Sequence, residues 1–146
     1  MAAVASGESR LYFEDVEVGR ALETPGMTLT EAHVTLFGGL IDDRAQDVGA
    51  VHELLPLCLS SGLGWRVPQP PLVVLAFMAF EWKFLQPVRV GDTIRSVSKT
   101  AAKRLMKDGG IVVEERNIFN QRGEIVQAGK LTLLVARRPA REASGP

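Results

Sequence analysis

Cysteine is nearly missing from this sequence. Cys58 stands alone, so no internal disulfide can form and no cysteine-rich metal site can be built. Net charge is missing too: 17 Lys and Arg face 17 Asp and Glu, leaving no electrostatic reason to bind a polyanion such as nucleic acid. No run approaches the roughly 18 apolar residues of a membrane-spanning helix. The opening MAAVASGESR has neither the basic start nor the apolar segment of a signal peptide. The expected compartment is the cytoplasm.

What is present fits one compact domain. The chain has 146 residues, 46% of them hydrophobic, enough to bury a real core within single-domain size. Charge is balanced but not evenly spread. Residues 1–55 hold 3 basic and 10 acidic side chains, against 14 basic and 7 acidic in 56–146, so the second half is net positive. Met1 to about Arg10 and about Arg138 to Pro146 are rich in Ala, Ser, Gly, Pro and Arg and are expected to be disordered. This leaves 11–137 as the domain. No internal repeat at solenoid spacing is apparent.

Helices are expected first and strands last. Ala21 to Thr28 reads as a short strand, and Thr28-Leu29-Thr30-Glu31 matches a capping box opening a helix over Ala32 to Leu40. A second helical segment, Val51 to about Trp65, carries Leu54, Leu55, Leu57, Leu59 and Leu63 on more than one face and belongs inside. Cys58 lies in this apolar run and is expected as a small buried residue. Pro56 requires either that the helix start near Leu55, with the proline in its first turn, or that it kink there. Strands follow over Leu72–Pro87, Thr93–Leu105, Ile111–Phe119 and Ile125–Ala136. The turn formers Lys107-Asp108-Gly109-Gly110 and Asn120-Gln121-Arg122-Gly123 join the later ones as consecutive hairpins. An α+β architecture follows.

Four segments in one order carry a resemblance: LYFEDVEVGR at 11–20, TLTEAHVTLFGGLIDD at 28–43, LCLSSGL at 57–63 and FLQPVRVGDTI at 84–94. Across roughly Leu11 to Val135 they resemble the MaoC-like acyl dehydratases and (R)-specific enoyl-CoA hydratases. The resemblance implies a hot-dog fold, an antiparallel sheet wrapped around a central apolar helix, assembled as a homodimer or higher homo-oligomer. It implies an acyl thioester substrate, with coenzyme A or an acyl-carrier phosphopantetheine as part of the substrate, and no other cofactor, no metal, no membrane and no nucleic acid.

In that family an Asp and a His in Asp-x4-His spacing hold and deprotonate water, and a backbone N–H at the start of the buried helix polarises the thioester carbonyl. Matched from the N-terminal side, the family Asp falls on Asp43, yet Val48 stands five residues later. Matched from the C-terminal side, Gly49-Ala50-Val51-His52 resembles the glycine, apolar pair and histidine that open the helix, with Glu53 in place of a glycine. The loop that normally carries Asn-Pro-x-His between these anchors is missing here. Asp47 and His52 restore the Asp-x4-His spacing in a shifted register.

The candidate catalytic residues are therefore Asp43, Asp47, His52 and Glu53, with Gly49 as the oxyanion or substrate-binding position. Against this stands a structural reading. His52 would make a helix-start hydrogen bond, and Asp42, Asp43 and Asp47 would be solvated or capping carboxylates. Glu53 would merely complement the helix dipole, or would act as general base or nucleophile in thioester hydrolysis or dehydration as acidic residues on this helix do in other hot-dog branches. His33 is expected to be structural. Arg89 and Arg95 flank the Gly91-Asp92 turn and are the candidate phosphate-binding residues, with Lys99, Lys103, Arg104 and Lys107 near one hairpin. Trp65, Phe77, Phe80, Trp82 and Phe84 are expected to wall the core or an acyl pocket. Three functions stay open: hydratase or dehydratase, a hot-dog enzyme of hydrolysis or of cyclisation in a specialised pathway, and a non-catalytic thioester-binding subunit.

Overall fold

A computed structural model describes residues 9–42, 47 and 49–140. Residues 1–8 and 141–146, where most of the expected terminal disorder falls, lie outside the described residues, as does Asp43. The elements are β1 (Ala21–Glu23), β2 (Met27–Thr28), α1 (Glu31–Ile41), α2 (Leu54–Leu63), β3 (Val74–Phe84), β4 (Thr93–Met106), β5 (Gly109–Phe119) and β6 (Ile125–Val135). Every strand pair is antiparallel. The sheet runs β1-β4-β5-β6-β3, with β2 also on β4, and α2 lies against β4 and β5. One central helix wrapped by an antiparallel sheet is the hot-dog arrangement.

Three local expectations are corrected. The strand over Ala21 to Thr28 is broken at Thr24–Gly26, because Pro25 has no N–H for the ladder. Thr24 bridges the gap: its N–H donates to the Ser96 carbonyl (2.9 Å) and its hydroxyl accepts the Ser96 N–H (3.0 Å). The cap of α1 is Thr30, not Thr28, and the Thr30 N–H donates to His33 Nδ1 at 3.0 Å, so His33 serves the helix start. Cys58 is exposed. It shares one face of α2 with Leu54 and Ser61 at helical spacing, while Leu55, Pro56, Ser60 and Leu63 are buried. Pro56 sits in the first turn, where its absent N–H costs nothing, so the alternative of a helix starting near Leu55 holds and no kink is needed.

Two aromatic residues of β3 are also not where they were expected. Phe77 and Phe80 are exposed on the strand that ends the sheet, whereas Trp65 and Phe84, exposed as well, each border a cavity. Only Trp82 of this set packs on the core. Most of the buried apolar residues form two clusters. One joins Leu29, Val51, Leu55, Val88, Ile94, Ile118 and Val126; the other joins Phe13, Val112, Leu133 and Val135. Among the described residues, no helix is long and apolar enough to cross a membrane.

Candidate functional site

The segment FLQPVRVGDTI forms a strap that docks the entry to α2. Val51 N–H donates to the Val88 carbonyl (3.3 Å) and Val90 N–H to the Gly49 carbonyl (3.1 Å), an antiparallel bridge centred on Ala50 and Arg89. On the other side, Gly91 N–H donates to the Leu29 carbonyl and Leu29 N–H to the Asp92 carbonyl, both at 2.8 Å. The turn needs Gly91, whose φ of 96° lies in the left-handed region. Asp92 closes it by accepting from the Arg89 N–H (2.9 Å) and the Gln121 side-chain amide (2.8 Å). Burial by itself would raise the Asp92 carboxyl, but these hydrogen bonds and the charges of Arg122 and Arg89 outweigh it and hold the group below its ordinary value.

A second anchor holds the first turn of α2 from below. Gln127 is 2% exposed; its Nε2 donates to the Glu53 carbonyl (2.7 Å), and its Oε1 accepts from Trp82 Nε1 (2.9 Å). Sequence reasoning missed this residue, although a signal existed. Gln127 shares strand parity with the buried Leu131, Leu133 and Val135 of β6, where alternation calls for an apolar side chain. Between strap and helix start lies a cavity of about 380 Å³, bordered by Glu53, Pro56, Phe84, Pro87, Arg89 and Gln127 among others.

Of the predicted residues, Glu53 and Arg89 border this cavity and His52, Asp47, Gly49 and Arg95 do not. His52 is half-buried, its ring 5.5 Å from that of Phe37 and its Nδ1 accepting the Leu54 N–H at 3.1 Å. Glu53 is exposed and borders the cavity. Asp47 accepts the Gly49 N–H at 3.0 Å and lies 3.8 Å from Arg89. Among the described residues no hydrogen bond joins Asp47 to His52, and the Gly49 amide is engaged inside its own loop. Arg89 borders the cavity, whereas Arg95 pairs with Glu23 at 2.9 Å and covers the Phe119 ring. Lys103 donates to the Val16 carbonyl (2.6 Å) and lies over the Phe13 ring, which ties β4 to the N-terminal segment. No group of three or more His, Cys, Asp or Glu that could hold a metal ion occurs among the described residues.

No protein-family model and no curated protein matches the chain by sequence. Solved structures do match. A monoamine oxidase regulatory protein from Archaeoglobus fulgius superposes with a TM-score of 0.79 at 24% identity, covering 89% of this chain and 97% of that one. A MaoC-like dehydratase from Rhodospirillum rubrum gives 0.72 at 22% identity, covering 89% and 99%. The R-hydratase PhaJ1 from Pseudomonas aeruginosa gives 0.72 at 20% identity, covering 94% and 95%. The chain thus has the hot-dog fold of the MaoC-like dehydratases and (R)-hydratases.

Proposed function

We propose that the chain adds water to, or removes it from, the double bond of an acyl thioester, and that the chemistry lies at the start of α2 on His52 and Glu53. The observation that carries this reading is Glu53 at the border of the cavity beside the start of α2; the Leu54 N–H bond to His52 Nδ1 is the helix-start bond of the structural reading, and it also sets the ring's tautomer. In a neutral imidazole an accepting Nδ1 leaves Nε2 to carry the proton, so the ring is fixed as a donor. Glu53, beside the cavity, supplies the base. As the water oxygen bonds the β-carbon, Glu53 takes a proton from that water and the double-bond electrons move toward the thioester carbonyl. His52 Nε2–H donates to the developing enolate oxygen, and Glu53 returns the proton to the α-carbon. Dehydration runs the same steps backward. Such proton transfer is worth about 10²–10⁴-fold in rate and one such oxyanion donor about 10²–10³-fold.

Arg89 supports a thioester carried by coenzyme A or phosphopantetheine. It stands at the cavity with its side chain 65% exposed, and a guanidinium so placed meets a phosphate in bidentate fashion. In this reading Asp47 orders the loop and does not touch the reacting atoms.

The test incubates the protein with 2-enoyl and 3-hydroxyacyl thioesters of coenzyme A and of pantetheine, following products by mass. Hydrated or dehydrated thioester is expected, with kcat falling about 10²-fold or more in Glu53→Gln and His52→Ala and less than about tenfold in Asp47→Asn. No turnover of any thioester would sink the reading in favour of a binding subunit. A second reading has its own support, since a carboxylate at the cavity also suits attack of water on the thioester carbonyl; free acid as the product would select it.

A further inference from the structure

The two apolar clusters of the core are separated by charge. Along the inner face of β5 run Val112, Glu114, Arg116 and Ile118, so a charged pair stands between a residue of each cluster. Arg116 is 11% exposed and Glu114 20%, their side chains 2.6 Å apart. Across the ladder, β4 sets Thr100 opposite Glu114, Ser98 opposite Arg116 and Ser96 opposite Ile118, where a sheet under a central helix would normally bury apolar side chains. From the helix, Ser60 and Ser61 both accept from Arg116 Nη1, at 3.1 and 3.3 Å. These groups border a second cavity, of about 290 Å³. Ser60 and Ser61 lie roughly 10 Å along the helix axis from the start of α2.

The cavity holds acceptors as well as donors, the carboxylates of Asp15, Glu17 and Glu114 among them, but not every donor reaches one. Arg116 Nε and Nη2 both donate to one oxygen of Glu114, which leaves one Nη2 hydrogen over. Ser61 accepts and keeps its own O–H. The Ser96 hydroxyl, in a residue only 1% exposed, is buried with no hydrogen-bond partner at all, an arrangement that costs free energy unless something fills it. Glu114 cancels the charge of Arg116, so the vacancy calls for a neutral oxygen and not an anion.

We infer that this cavity holds the far end of the acyl group, and that this end bears a neutral oxygen function, a ketone or hydroxyl, in place of plain hydrocarbon. The inference rests on the reading of the chain as an acyl-thioester protein, but not on which reaction it performs. A plain alkyl end would leave the Ser96 hydroxyl unpaired and would strip any water from Arg116, and both costs select against it.

Calorimetric titration with two saturated, unreactive ligands tests it: octanoyl-pantetheine and its oxo analogue with a ketone next to the chain end. The oxo ligand is expected to bind about tenfold more tightly, as one added hydrogen bond to a buried donor implies. That margin should shrink to within about threefold in Ser96→Ala, which melts no lower than wild type because the hydroxyl it removes has no partner. Equal or tighter binding of the plain chain overturns the inference, as does failure of both ligands to bind. Ketone-selective binding without turnover of any enoyl thioester would leave this inference standing and sink the proposed reaction. Turnover of plain enoyl thioesters without selectivity would do the reverse.

Discussion

Gln127 shows how one polar side chain can set a site from inside the core. Its amide satisfies a carbonyl at the entry to α2 and the indole N–H of Trp82 at the same time, through two part-buried bonds. Replacing Gln127 by Leu keeps the volume but orphans both partners, each at about 1–3 kcal/mol. The expected loss is about 2–4 kcal/mol in urea unfolding, with kcat falling alongside because Glu53 and His52 ride on the same turn. Unchanged stability in Gln127→Leu would show that the helix start is held by the strap alone. Gly110 is constrained in a different way. A side chain there would run into the Phe13 ring, so Gly110→Ala must displace Phe13 from the second apolar cluster and is expected to lower the melting temperature by several degrees, as about 1–3 kcal/mol of overpacking does in a domain of this size.

At the scale of elements, the strap between β3 and β4 links three parts of the chain through its backbone and depends on one carboxylate. Because the folded Asp92 binds its proton more weakly than its ordinary value of 3.8, the ionised form contributes stability that is fully present above that pH. It is lost as pH falls through the lower folded value. The urea midpoint of wild type should therefore exceed that of Asp92→Asn near pH 6, and the gap should narrow as pH falls below that ordinary value; a gap that stays constant into acid would mean that the side chain acts by shape and not by charge. The strap was legible in the sequence because Pro, Gly and β-branched residues announce a strand, a turn and a strand in order. The four long strands and both hairpins were legible for the same reason. The cap of α1 was not, since Thr28 and Thr30 both precede a plausible helix, and only the pairing of Thr28 with Thr93 on β4 decides between them. Cys58 was misplaced because an all-apolar helix reads as buried on every side, whereas the sheet covers only part of α2.

For the whole molecule the open question is what covers β3. Periodicity cannot tell an end strand from an inner one, which is why its phenylalanines read as core. The candidate site was legible only as a segment, 42–53, because the bonds that orient it come from Leu54, Arg89 and Gln127, the last two distant in sequence. In the fold, β3 presents an 11-residue edge with Leu75, Phe77, Met78 and Phe80 all about half exposed. Natural sheets blunt such an edge or pair it, and exposed aromatic clusters mark association surfaces. We therefore expect two copies to join at β3, and a consequence for activity follows. The end of the same strand, Phe84, and the Leu85–Pro87 segment after it border the cavity at the start of α2, so a second copy on β3 would stand beside the reacting groups. Light scattering should give twice the chain mass for wild type. Phe77→Lys with Met78→Lys, which places two charges on the edge strand, should give a folded monomer by circular dichroism. That monomer should lose most of its turnover while its two cavities stay intact. A monomeric wild type, or a monomeric variant with full activity, would show that the edge is covered by something other than a second copy and that the site is complete in one chain.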